Sequence, residues 1–371
     1  MLFPLIFILL SCIVIWRASD GFESAADYLG RNLTDGVRGA AINAVGSSMP
    51  ELFTTLWFLF AVHDSEGFAA GIGTTAGSAV FNGMIIPAVV ILAVLGYGLA
   101  RNITVSKKVI LRDGLSLIAA EFILIVLITG NTIEWWHGLV LMLVYGVYVA
   151  VLLTTMTAAE LSDDDVEPIE VGGSVRHNLL KLKLTPIFFK KGISSGRAWG
   201  LLAVSMLIIG GACALLVHSC EDLAGALGIN TYFVAVIIAS AATSVPDTIL
   251  SYRDALSGKY DDAVANALGS NIFDICFALG FPLFVYTMLY GPIQMSDAVN
   301  EDITELRGLL LFATILAFLL FYIGRKMGRA KALALLGIYL AFTVFIFAKA
   351  YETPWAVELG EFIRNVLIVV T

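Results

Sequence analysis

Two stretches of the chain set an acid directly after a proline within otherwise apolar sequence. Ser48-Met49-Pro50-Glu51 is matched by Ser244-Val245-Pro246-Asp247, an offset of 196 (48 to 244). Further along, Gly77-Ser78-Ala79-Val80-Phe81-Asn82 is matched by Gly269-Ser270-Asn271-Ile272-Phe273-Asp274, an offset of 192 (77 to 269). The small difference falls in the intervening polar loops, where changes of length are tolerated. On a helix, Ser47 and Ser48 share a face with Glu51, and Thr243 and Ser244 share one with Asp247. Ser78 with Asn82 and Ser270 with Asp274 are also one turn apart. Each proline lacks an N–H and pushes aside the carbonyl four residues back, here Gly46 and Ala242. The chemistry on offer is oxygen alone, which suits hard cations such as Ca²⁺, Mg²⁺ and alkali ions rather than zinc or copper. Helix packing through small residues and hydroxyls accounts for the glycines and serines. It does not account for three acids at matching places in two copies.

These residues need a scaffold that can hold acids in apolar surroundings. Of the 371 residues, 59% are hydrophobic and 14% charged, against about 25% charged in ordinary globular proteins. Residues 67–100 contain no Asp, Glu, Lys or Arg, whereas about 20 such residues span a bilayer. The chain is therefore expected to be an all-α polytopic membrane protein. Apolar windows near 2–18, 37–62, 67–98, 114–130, 135–156, 198–218, 230–252, 262–290, 306–324 and 332–349 predict ten transmembrane helices. The first is taken as a membrane helix, not a signal ending at Cys12, because no basic residue precedes Arg17. Residues 157–197, acidic from Asp163 and then basic through Lys191, form a linker between five-helix halves 1–156 and 198–350. The net charge of −8 comes with no basic block for nucleic acid. Cys12, Cys213, Cys220 and Cys276 show no paired spacing, and the four histidines are far apart. The sequence points to no cofactor, no enzymatic activity and no protein partner; the bilayer and small ions are the expected partners.

Lys and Arg concentrate in the loops after windows one, three, five, seven and nine, while the even loops hold only Arg307. The positive-inside rule then places both termini outside and the linker in the cytoplasm, in a cell (inner) membrane. The matching motifs lie five windows apart, an odd number, so the copies cross the membrane in opposite senses. That is an inverted-topology repeat, with the substrate expected at the midplane. The tail 351–371 carries Glu358, Glu361 and Arg364 opposite Phe362, Ile363 and Val366, and reads as an interfacial helix or a loose end. Glu121, inside the fourth window, has no acid at the equivalent place in the ninth. It is expected to pair with a linker or loop cation, or to mark a second path. Glu221 and Asp222 are expected at the interface, or gathering cations at the outer mouth.

GSSMPELFTT with GTTAGSAVFN, and ATSVPDTILS with GSNIFDICFALGFP, resemble the paired alpha repeats of the cation/calcium exchangers. The pattern is most similar to the potassium-dependent sodium/calcium exchanger branch, which pairs a Glu in the first repeat with an Asp in the second. The repeats cover about 37–98 and 230–290. The resemblance implies ten helices, an inverted repeat and antiport of Na⁺, with K⁺ as a companion ion, against Ca²⁺. It implies cation ligands Ser47, Ser48, Glu51, Ser78 and Asn82, matched by Thr243, Ser244, Asp247, Ser270 and Asp274, with backbone carbonyls near Ala44 and Ser240 assisting. Ala241-Ala242 stands where the family usually has a glycine before Thr-Ser, which is expected to stiffen or shift that bend.

Other readings compete with this one. A Ca²⁺/H⁺ or other divalent cation/proton antiporter of the same fold differs in its driving ion. Mg²⁺ dehydrates reluctantly and fits such a site less well. An aspartyl intramembrane protease would use Asp247 and Asp274, but no Gly-x-Gly-Asp run is present. A channel would show flux without counter-ion coupling. In the exchanger reading, Ca²⁺ is bridged by Glu51 and Asp247, and Asp274 serves Na⁺ or K⁺. Asp274→Asn is then expected to weaken or abolish K⁺ stimulation while leaving some Na⁺-driven Ca²⁺ flux, measured by ⁴⁵Ca²⁺ uptake with and without K⁺.

Overall fold

The computed structural model describes residues 2–29, 44–155, 174–190, 192–324 and 326–370. The first part of the second expected window, most of the acidic half of the linker, and Arg31, Arg38, Lys191 and Arg325 lie outside the described residues. Among the described residues the regular structure is helical apart from four two-residue strands. Its main helices are α1 (Leu2–Leu29), α2 (Met49–Trp57), α3 (Asp64–Gly96), α4 (Lys107–Leu127), α5 (Trp135–Thr155) and α6 (Ser195–Leu227). They are followed by α7 (Val245–Leu256), α8 (Tyr260–Phe273), α9 (Gly280–Tyr290), α10 (Asp297–Tyr322), α11 (Arg329–Ala350) and α12 (Pro354–Val370).

Among the described residues, eight helical stretches are long and apolar enough to cross a bilayer. A ninth is added if Thr231–Thr243 and α7, bent by 41°, count as one. The expected window 114–130 corresponds to α4, whose Lys107, Lys108, Arg112, Asp113 and Glu121 make it too charged to qualify on composition. Large apolar side chains such as Phe3, Leu9, Val147, Leu207, Phe312 and Leu340 are exposed, as a lipid-facing surface requires.

The longest charge-free stretch becomes α3, which is buried through the bundle centre. Phe68, Ile72, Val80, Met84, Ile86 and Val94 are fully enclosed, and a helix apolar all round is one that other helices surround. Helix α3 passes very close to a π-helical turn, Ala235–Ala239. A Cβ on Gly77 would overlap the Val236 carbonyl and stand 2.9 Å from Ser240 Cβ. On the far side, α5 and α9 meet at Gly138 and Gly280, where a Cβ on Gly280 would be 2.9 Å from Leu141 Cβ.

Two antiparallel ladders join the halves. β1 (Ile103–Thr104), just before α4, pairs with β4 (Lys326–Met327), just after α10. β2 (Thr132–Ile133), just after α4, pairs with β3 (Ile293–Gln294), just before α10. Antiparallel helices α4 and α10 are thus tied together at both ends. Met295 N–H to Asn131 O at 2.7 Å and Asn131 Nδ2 to Asp297 Oδ1 at 3.1 Å reinforce one of these ties.

The described part of the linker is folded onto the bundle. Short helices Val175–Leu180 and Thr185–Phe188 lead to Phe189, which is enclosed with Leu184 by Ala25, Ala198 and Leu201. The tail is helix α12, packed against α10, and one part of the expected orientation is corrected. Arg364 faces the protein, pairing with Glu301 and, at 3.3 Å, with Glu305. Ile363 and Leu367 cover Gly308, while Phe362 and Val366 are exposed. A carboxylate on α10 outweighs the simple polar-face pattern because it gives the guanidinium a charged partner.

Gly77→Ala is expected to cost about 1–3 kcal/mol through overpacking, read as a lowered thermal midpoint of the detergent-purified protein. Gly96→Ala, where a Cβ meets nothing within 4 Å, is expected to leave it within about 0.5 kcal/mol of wild type.

Candidate cation-binding site

Both proline motifs break their helix at the residue two before the proline. Ser48 has φ −95° and ψ 9°, and Ser244 has φ −77° and ψ 2°, the sparsely populated bridge region. Pro50 and Pro246 restart the helices as α2 and α7, where a missing N–H costs nothing. Glu51 and Asp247 therefore sit in the first turn of a helix, where the N-terminal dipole favours negative charge. Asp274 opens a second kind of irregularity. It begins the π-helical turn Asp274–Ala278, closed by Leu279 N–H to Asp274 O at 3.1 Å. Such turns recur at functional sites.

The structure brings most of the expected residues into one enclosed cluster. Glu51, Asp247, Asp274, Asn82, Ser47, Ser48, Ser78, Thr243, Ser244, Ser240 and Ser270 are all fully buried. Ser78 stands at the centre: its Oγ is 3.1 Å from Glu51 Oε1, 3.1 Å from Asp274 Oδ2 and 2.7 Å from Ser244 Oγ. Ser270 donates to Asp247 Oδ1 at 2.8 Å, as Ser78 does to Glu51. Asn82 Nδ2 donates to Asp247 Oδ2 at 3.3 Å. Thr243 lies beside Glu51, Ser47 beside Asp247 and Ser48 beside Asp274, so each acid has a hydroxyl from the other half next to it.

Hydrogen-bond donors are scarce here. A hydroxyl has one proton, so Ser78 cannot satisfy all three neighbouring oxygens at once. Glu51 Oε2, Asp274 Oδ1 and Asn82 Oδ1 are buried acceptors with no hydrogen-bond partner among the described residues. Buried acceptors left this way are costly unless something positive fills the gap. Among the described residues, no three His, Cys, Asp or Glu side chains lie close enough together to hold a metal ion by themselves. Any ion here depends on the hydroxyls and the Asn82 amide as well as the acids.

The two expected carbonyl positions differ. Ser240 O already accepts Ser244 N–H at 3.1 Å and the Thr243 hydroxyl at 3.1 Å, and Ser240 Oγ is turned to Val236 O at 2.6 Å. Ala44 is the first residue of the helical turn Ala44–Ser47. The bend after Ala241-Ala242 is present without the glycine. Sequence reading missed Asn271. Asn271 Nδ2 donates to the carbonyl of Ala79, its own counterpart in the first motif, at 2.9 Å. The signal was its place between Ser270 and Phe273.

Among the described residues Glu121 is paired with no cation; its partner there is Thr314, whose hydroxyl donates to Oε1 at 2.7 Å. Asp222 is exposed, and Glu221 is half-buried with His218 at 3.1 Å.

The sequence model of the family described as sodium/calcium exchanger protein matches residues 3–154 and 197–348, most of both halves. The chain belongs to the sodium/calcium exchanger protein family. This family consists of transporters, not enzymes, and the chain is a multi-pass integral membrane protein. Human sodium/potassium/calcium exchanger 3 is 35% identical over 121 residues, which cover 33% of this chain and 17% of that longer protein. The putative antiporter CaxA of Alkalimonas amylolytica is 23% identical over 358 residues, 94% of this chain and all of that one. Among solved structures, the H⁺/Ca²⁺ exchanger CAX superposes with a TM-score of 0.71 at 16% identity, covering 99% of this chain and 86% of that chain. At that identity the likeness is one of fold.

Ser78→Ala is expected to lower the stability of the purified protein in ion-free buffer by about 1–3 kcal/mol, the cost of orphaned buried acceptors. Ser116→Ala, which loses only a bond back to Arg112 O, is expected to change it little. Thermal unfolding of both variants checks the difference.

Proposed function

We propose that the chain is a secondary active antiporter that exchanges Na⁺, with K⁺ as a companion ion, for Ca²⁺ by alternating access. The observation that carries this is the buried cluster around Ser78, where oxygen acceptors drawn from both halves outnumber the protons available to them. Glu51 and Asp247 bridge Ca²⁺, Ser47, Ser48, Ser78, Thr243, Ser244, Ser270 and Asn82 complete the shell, and Asp274 serves Na⁺ or K⁺. Carbonyls near Ala44 and Ser240 enter the shell once the local hydrogen bonds of Ser240 give way.

The charges fit this cargo. Three ionised carboxylates carry −3, which three Na⁺ neutralise; one Ca²⁺ leaves −1, which one K⁺ removes. An empty site keeps its full charge within the bundle, which opposes its reorientation. Exchange, rather than leak, follows from that penalty. The reading includes ten membrane helices arranged as two inverted five-helix halves, 1–156 and 198–350, with 157–197 between them. The matched contacts Ser78–Glu51 and Ser270–Asp247 support that symmetry. The bias of Lys and Arg supports both termini outside and the linker in the cytoplasm of a cell bounded by this (inner) membrane.

A proton-driven version of the same exchange is the second reading, since the H⁺/Ca²⁺ exchanger CAX shares this fold. In that reading protons on the same carboxylates replace Na⁺. Proteoliposomes loaded with Na⁺ are expected to take up ⁴⁵Ca²⁺ when diluted into Na⁺-free medium, faster with external K⁺, and Glu51→Gln is expected to fall to the protein-free background. Uptake that follows an imposed pH gradient and ignores Na⁺ would establish the proton-driven reading instead.

A further inference from the structure

Glu121 lies outside the cation cluster. It sits on α4 between the two ladders, 1% exposed, facing α10. Thr314 donates its hydroxyl proton to Oε1 at 2.7 Å, and Oε2 is buried with no partner among the described residues. The Thr314 contact is selective. Thr55, Thr74, Thr248, Thr287 and Thr343 all turn their hydroxyls back onto the carbonyl one turn earlier in their own helices, whereas Thr314 reaches across to the neighbouring helix.

Among the described residues, the surrounding groups offer no countercharge. On α10, Arg307 is two turns from Thr314 and commits its guanidinium to the carbonyls of Ile125 (3.1 Å), Ile128 (2.5 Å) and Ile303 (3.3 Å), and to Thr304 Oγ1 (2.7 Å). On the π-helical turn, Cys276 is a buried thiol near Glu121. On α5, Tyr145 packs against Phe273 and Phe277, and Tyr148 donates to Asp113 at 3.3 Å. At the start of α4 itself, Asp113 is held by Arg112 at 2.7 Å. One carboxyl and one hydroxyl are too few oxygens for Ca²⁺, which takes six to eight, and fall short of any octahedral shell. A proton needs one acceptor.

We propose that Glu121 and Thr314 form a proton-binding site separate from the cation cluster, and that the packing of α4 on α10 depends on the neutral, protonated carboxyl. Losing the proton puts an uncompensated charge between apolar helices. The disturbance reaches Asp274 through Cys276, which shares its π-helical turn. The site thereby acts as a pH-dependent brake on transport at alkaline pH.

Two measurements test it, on the full-length protein. The infrared spectrum of purified wild type in ¹H₂O and ²H₂O is expected to contain a protonated-carboxyl C=O band that Glu121→Gln removes; identical spectra overturn the proposal. This arm does not depend on the exchanger reading. The second arm rests on that reading: ⁴⁵Ca²⁺ uptake under a fixed driving gradient, with equal pH on both sides. Past its midpoint, wild-type uptake is expected to fall about tenfold per pH unit, as for one titrating group, while Glu121→Gln keeps its neutral-pH rate. Thr314→Val removes a donor that favours the charged form, so its profile moves to more alkaline pH. Coincident profiles for wild type and Glu121→Gln, with uptake present in both, reject the brake.

Discussion

The scarcity of protons around Ser78 governs the site. Three carboxylates enclosed in a membrane bundle demand donors, and the sequence supplies hydroxyls that carry one each. Most polar groups in an interior are arranged so that every acceptor is met. Here the arrangement leaves Glu51 Oε2 and Asp274 Oδ1 unmet, and the shortfall is shared between motifs from the two halves. Everything near the cluster serves that convergence. The prolines place Glu51 and Asp247 at helix starts, Gly77 lets α3 touch the 235–240 segment, and the π-helical turn sets Asp274 opposite Ser78.

Much of this was legible in the sequence because it is written twice. Ser-x-Pro-Glu/Asp and Gly-Ser-x-x-Phe-Asn/Asp are short, and one copy of either proves little. Two ordered pairs locate the acids, the hydroxyls and the amide, and the structure gathers those residues around Ser78 and Asp247. Charge-free residues 67–100 likewise announced a membrane helix, and α3 carries no charged residue from Gly67 to its end.

Other features had no local signature. The ladders use two residues per strand and join loops more than 150 positions apart, so no alternation marks them. The role of Ser78 as the meeting point of Glu51, Ser244 and Asp274 is a matter of three-dimensional approach. Arg364 looked like part of a solvated face because its partners, Glu301 and Glu305, belong to another helix. Glu121 stood out as an acid in an apolar window, but Thr314 is one of many membrane threonines. Only the direction of its hydroxyl distinguishes it.

The paired ladders also have a mechanical meaning. A slip of one helical turn between α4 and α10, about 5.4 Å, exceeds the rise of one strand residue, about 3.4 Å. With only two residues in each ladder, such a slip would unhook both ends together. These helices therefore act as a strut of fixed register spanning the bundle. Helices α1 and α6 are held by side-chain links, such as Asp20 to Arg253 at 3.1 Å and Trp57 Nε1 to Gly210 O at 2.8 Å. Links of that kind break and reform one at a time, whereas the two ladders of the strut have to open together.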